Sequence, residues 1–129
     1  MPRRRLLNLA VVNEKINLAA KLALLDEPYE PGIVGFVNDF KLLVVKVKGS
    51  FVWHKHDETD DLFLVLEGEL EIELRDRAVH LSAGELFVVP KGVEHRPCAR
   101  QGEVKLLLME PSETPNTGDE ATAAVKVRI

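Results

Sequence analysis

His54 and His56 stand two apart in the run Phe51-Val52-Trp53-His54-Lys55-His56. On an extended strand, side chains two apart share a face, so both imidazoles can reach one ion. The carboxylate pair Asp60-Asp61 follows a short turn later and opens an apolar run, where its oxygens could approach the same ion. His95 lies much further along the chain and joins this set only if the sheet closes on itself and brings distant strands together. Nitrogen and oxygen donors in this mixture suit Mn, Fe, Ni, Co or Zn, and the lack of a cysteine donor argues against a purely structural zinc. The cofactor expected is one divalent transition metal ion per chain.

The remaining polar residues fit ordinary roles. Asp60 and Asp61, as neighbours on a strand, would face opposite ways, so only one of them can be a donor, and taken by themselves the two read as a solvated turn. His80, between Val79 and Leu81, reads as a surface residue, and Cys98 as a structural thiol with no activating neighbour in sequence. Alternation turns Phe51 and Trp53 away from the histidines, either against the N-terminal helix or into a subunit interface.

Strands must carry these side chains. Residues 13 to 25 predict a short helix capped by Asn13, with Ile16, Ala20, Ala23 and Leu24 on one face, stopped by Pro28 and Pro31. From Gly32 onward, short apolar runs alternate with turn residues at the spacing of an all-β barrel. Residues 33 to 37 and 40 to 48 flank Asn38-Asp39 as a hairpin, and residues 51 to 56 and 62 to 66 predict two further strands. In Glu69-Leu70-Glu71-Ile72-Glu73-Leu74 the alternation is strict, leucines and isoleucine inward and glutamates outward. Residues 78 to 81, 86 to 89, 93 to 98 and 104 to 109 complete the strands. The organisation expected is a helical extension over 1–31, a barrel over 32–110 and a surface tail over 111–129.

Bulk properties exclude several classes. The chain has 129 residues, enough for one core and too few for two. Its 17 basic and 21 acidic residues leave a formal charge of −4, and the one dense basic run is Arg3-Arg4-Arg5, so no nucleic-acid face is expected. The apolar run at residues 6 to 12 is interrupted by Asn8 and lacks a convincing cleavage site for a secretion signal. A single cysteine forms no internal disulfide, and no run nears the ~20 apolar residues of a membrane span. A cytoplasmic protein without membrane association is the expectation.

The site also carries a family pattern. The chain resembles the cupin superfamily, whose first motif runs Gly, five residues, His-x-His, three or four residues, Glu, six residues, Gly. Here Gly49, His54-Lys55-His56, Asp61 and Gly68 follow it, with one residue fewer before His54 and aspartate in place of glutamate. The second motif runs Gly, five residues, Pro-x-Gly, two residues, His, three residues, Asn. Gly84, Pro90-Lys91-Gly92 and His95 match it, and Ala99 stands in place of the Asn. The resemblance implies a double-stranded β-helix barrel with His54, His56, His95 and Asp61 at the metal. Since aspartate is shorter than glutamate by about 1.5 Å of reach, Asp61 is either a ligand or an acceptor behind one.

Three histidines and one carboxylate leave positions open on a metal, an arrangement more often catalytic than structural. A metal-dependent enzyme acting on a small molecule is the first expectation, and the family spans isomerases, dioxygenases, decarboxylases and lyases. A non-catalytic small-ligand binding or sensing barrel is the alternative, because the expected interior (Val52, Phe63, Val65, Leu70, Ile72, Leu74) offers no acid or base besides Asp61. A barrel without metal ranks third. A sugar-phosphate isomerase would need cations at the mouth, for which Lys91, Arg96 and Arg100 are the candidates. A homodimer is expected from the resemblance.

Overall fold

The computed structural model describes residues 14–112 and 126–129. Among the described residues, one short helix, α1 (Leu18–Leu22), precedes eight strands: β1 (Gly32–Val37), β2 (Phe40–Ser50), β3 (Asp61–Glu67), β4 (Leu70–Leu74), β5 (Ala78–Leu81), β6 (Leu86–Val89), β7 (His95–Pro111) and β8 (Val127–Arg128). Strands β5, β4, β7, β2, β1 and β8 neighbour one another in that order, while β3 pairs with both β6 and β7. The result is the expected all-β barrel of cupin type, preceded by the short helix α1.

The 17-residue β7 organises this barrel. Its first residues pair with β4, placing His95 opposite Leu74, and its later residues pair with β3, placing Leu106 opposite Val65. Along the other edge it runs antiparallel to β2, with Val104, Leu106 and Leu108 opposite Val47, Val45 and Leu43. The sequence pattern suggested two strands here. The exposed stretch Gln101-Gly102-Glu103 interrupts the pairing with β2, whose register shifts between Val47–Val104 and Gly49–Ala99, but the strand runs on through it as one element, with Gly102 at a φ of 125°.

Alternation sets the core. Leu70, Ile72 and Leu74 are buried and Glu71 and Glu73 half-buried between them, as the pattern in this run demands. They join Val45, Val47, Phe63, Val65, Val104 and Leu106 in the main apolar cluster. Val52, assigned to the interior from sequence, is 53% exposed. It precedes an isolated bridge rather than lying in a regular strand, so period-two reasoning fails there.

The helix is shorter than its pattern suggested. Asn17 caps it, its Oδ1 accepting from Ala20 N at 2.9 Å; Asn13 lies outside the described residues. Its inward face is also shifted. Leu22 and Leu25 are buried with Leu18 beside them, at i, i+4 and i+7, whereas Ile16 and Leu24 are exposed. No helix among the described residues is long and apolar enough to cross a membrane.

The expected tail contributes a strand. β8 runs parallel to β1, Gly32 beside Val127 and Ile33 beside Arg128. Ile129 fills the space over Gly32, where a Cβ would lie 2.3 Å from its Cδ1.

Candidate metal centre

Residues 51 to 56 form no continuous strand; His54 alone bridges to His95, through His54 N to His95 O at 3.0 Å and His95 N to His54 O at 2.9 Å. This bridge brings the two distant motifs together. The carbonyl of His56 accepts from Gly92 N at 2.8 Å, which ties the second histidine to the Pro90-Lys91-Gly92 turn. Gly92 has a φ of 79°, a conformation that glycine adopts without steric penalty. Asp61 opens β3, paired with Val89 of β6, and its side chain turns inward.

All four side chains converge. His54, His56, Asp61 and His95 are buried, and one donor atom from each lies within 4.8 Å of the others. Asp61 Oδ2 lies 3.3 Å from His56 Nε2 and 3.4 Å from His95 Nε2. The shorter aspartate therefore reaches the imidazoles.

Backbone carbonyls fix two of the rings. His54 Nδ1 lies 2.9 Å from Val52 O and His95 Nδ1 lies 2.9 Å from Val93 O. A carbonyl only accepts, so each Nδ1 carries the proton and each Nε2 presents its lone pair to the centre. His56 Nε2 and His95 Nε2 are buried without a hydrogen-bond partner, although the Asp61 carboxylate lies close to both. Buried polar atoms are seldom left so. An ion among them would satisfy these atoms together, and the donor set of three imidazoles and one carboxylate fits a divalent transition metal.

The local electrostatics suit the same occupant. Burial pulls His54 down to about 4, the nearby His95 and His56 acting in the same direction, so His54 is neutral at ordinary pH. Burial alone would raise the Asp61 carboxyl, but His56 and His95 outweigh it and bring it to about 2. The centre thus holds neutral His54 and ionised Asp61, the forms a metal requires.

A cavity of about 50 Å³ opens against His54 and Asp61, walled by Tyr29, Phe51, Phe63 and Leu106. Phe51 does not face away from the histidines: with no regular strand to impose alternation, its ring stacks on Tyr29 at 4.9 Å and meets His54 edge-on at 5.4 Å. Glu110 also lines the cavity. The sequence reading missed it, although Val104, Leu106, Leu108 and Glu110 follow the inward period of β7, as Lys41, Leu43, Val45 and Val47 do on β2. Lys41 stands opposite Glu110 in register, 3.7 Å from its carboxylate, and Lys126 pairs with the same carboxylate. Burial pushes the Glu110 carboxyl up against the opposing pull of Lys126.

The remaining candidates lie elsewhere. Arg96 and Arg100 bind Glu73, with Arg96 Nε 2.8 Å from Oε1 and Arg100 Nη2 2.6 Å from Oε2. Neither they nor Lys91 lines the cavity. Trp53 does not line the cavity and is covered by Arg75, 3.8 Å from its ring centroid. His80 is exposed beside Glu69, and Cys98 is buried near Glu73.

Comparison with known proteins places this geometry among relatives. A family model described as a cupin domain matches residues 41–110. A crystal structure of a cupin-2 domain containing protein from Shewanella frigidimarina superimposes with a TM-score of 0.75 at 42% identity, covering 78% of this chain and 98% of that one. The uncharacterized protein YdbB of Bacillus subtilis is 41% identical over 46% of this chain and 54% of its own length. A 3-hydroxyanthranilate 3,4-dioxygenase of Xanthomonas euvesicatoria is 31% identical over 64% of this chain and 48% of its own. The chain spans about half the length of the curated relatives it matches.

Proposed function

This chain belongs to the cupin domain family, and from that premise we propose that it is a metal-dependent dioxygenase acting on a small, uncharged, largely apolar substrate. The observation that carries the reading is the cavity wall: apart from His54, Asp61 and Glu110 it is aromatic and aliphatic, it holds no lysine or arginine, and it abuts the four-donor centre. A sugar phosphate would demand cations at that wall, and the candidates Arg96 and Arg100 are bound to Glu73 instead. The similarity to 3-hydroxyanthranilate 3,4-dioxygenases supports the reaction class. It does not carry over the substrate, whose carboxylate would find no counter-ion in this wall.

His54, His56, His95 and Asp61 would hold one ion. When bound, an iron ion would supply open coordination positions and one-electron chemistry with dioxygen. The protein's own contribution is positional. Val52 O and Val93 O hold two imidazoles in the donor tautomer, and Phe51 and Tyr29 offer a stacking surface beside them. At about 50 Å³ the cavity admits one or two water-sized molecules. A substrate would enter it with its reacting end only. Both oxygen atoms would pass into the substrate, so no separate reductant is required.

The test is oxygen uptake by protein loaded anaerobically with Fe(II), against a panel of uncharged phenols, catechols and aminophenols. Expected is uptake matched mole for mole by ring-opened product and abolished by chelation. Aldose–ketose conversion with Mn or Zn in place of oxygen uptake would favour an isomerase. One observation favours the non-catalytic alternative. Of the two carboxylates in the wall, Asp61 is held between imidazoles and Glu110 is paired with Lys41 and Lys126, so neither is placed as a ready general base. Saturable binding of a ligand returned chemically unchanged, with no turnover under any metal, would select that reading.

A further inference from the structure

Asp61 opens β3 and is buried, whereas its neighbour Asp60 lies just before the strand and is exposed. Its carboxylate is nevertheless engaged: Oδ1 accepts a hydrogen bond from Lys91 N at 2.9 Å, across 31 residues of sequence. One residue further along the turn, Gly92 N donates to His56 O at 2.8 Å. Residues 57 to 60 belong to no strand, so between His56 and β3 the chain has no ladder to hold it. These two bonds tie that loop to the turn that leads into His95.

We propose that Asp60 is a positioning residue: by gripping Lys91 N it fixes the loop that joins His56 to Asp61 against the turn that delivers His95, and so sets the spacing of the donor atoms. The assignment rests on the metal reading above. It has a defined limit, because His54 is held to His95 by its own backbone pair at 3.0 and 2.9 Å. Asp61 is likewise held by the pairing of β3 with Val89, so loss of the Asp60 bond loosens chiefly His56 and leaves the barrel intact. It weakens metal binding without abolishing it and leaves the metal-free fold nearly unchanged. Removing Asp61 takes away a donor outright and has the larger effect.

The experiment is titration of Co²⁺ into the metal-free full chain, with affinities from competition against a chelator, for wild type, Asp60→Ala, Asp60→Asn and Asp61→Ala. Groups that hydrogen-bond a metal ligand directly change its affinity by about 10- to 100-fold, and Asp60 acts one bond further out, so its effect falls at the low end. Asp60→Ala is expected to lose about 10-fold, Asp61→Ala more, and Asp60→Asn, which keeps the Oδ1 acceptor, to stay within about two-fold of wild type. Hydrogen exchange at the Lys91 amide should accelerate in metal-free Asp60→Ala and not in Asp60→Asn, while the thermal midpoints of the metal-free proteins stay together. Asp60→Ala binding Co²⁺ like wild type overturns the assignment, as does Asp60→Asn binding as weakly as Asp60→Ala, which would make the effect one of charge. Wild-type protein that takes up no Co²⁺ overturns the metal reading itself, an outcome separate from either of these.

Discussion

At the scale of single residues, the centre depends on nitrogen atoms whose state is set by their surroundings. His54 and His56 share the inward direction, so the double variant His54→Ala/His56→Ala removes two donors at once. Metal content measured on protein purified without an affinity tag is expected near one ion per chain for wild type and near zero for the double variant. Unchanged content would end the metal reading. The proton balance gives a second test in the metal-free protein. His54 is depressed from 6.5 to about 4 in the folded chain, so the unfolded chain binds the proton more readily. Its contribution to stability is therefore complete above pH 6.5 and is lost as pH falls through about 4. Chemical denaturation across this window should show wild type losing stability relative to His54→Asn, which has no such proton. Parallel curves would place His54 in a solvated site. That a histidine pair on an extended segment could bind metal was readable from spacing alone. The orienting carbonyls of Val52 and Val93 were not, because backbone acceptors leave no mark on residue identity.

At the scale of elements, short-range chemistry decided where strands begin and end. The turn between β3 and β4 needs Gly68, which has a φ of 96° and would place a Cβ 2.9 Å from Glu103 O. Gly68→Ala meets both obstacles, and a destabilisation of more than about 1 kcal/mol is expected in urea denaturation. A smaller loss would mean that β7 yields locally at Glu103. The strict alternation in β4 was legible because one face is buried and the other wet. The segment around Trp53 was not, since it makes one bridge in place of a ladder, and alternation has meaning only within a ladder. The helix register failed for a related reason: with α1 only five residues long, nearby alanines and leucines fit several faces equally well, and packing against β1 and β2 selected Leu18, Leu22 and Leu25.

At the scale of the whole molecule, the metal and the fold are coupled, because the donors come from segments that only the closed barrel brings together. An ion that binds the folded chain alone adds about 2.7 kcal/mol when its free concentration is 100 times its dissociation constant. Thermal unfolding with and without Co²⁺ or Zn²⁺ should show a higher midpoint with the ion, reversed by a chelator, and no such rise in His54→Ala/His56→Ala. A midpoint indifferent to metal would mean that the donors do not act together on one ion. What the sequence determined by itself was local and periodic: the strands with one buried face, the glycines and proline of the turns, and a family pattern that nominated His54, His56, Asp61 and His95. The tertiary structure alone decided that Asp61 reaches the imidazoles despite its shorter side chain. It also decided that Phe51 turns toward the site, that Glu110 and Lys41 meet inside the barrel, and that residues 127 and 128 return to pair with β1. These are contacts between segments far apart in the chain. Their distances depend on how the barrel closes, and barrel closure is a sum over all strands that no local spacing encodes.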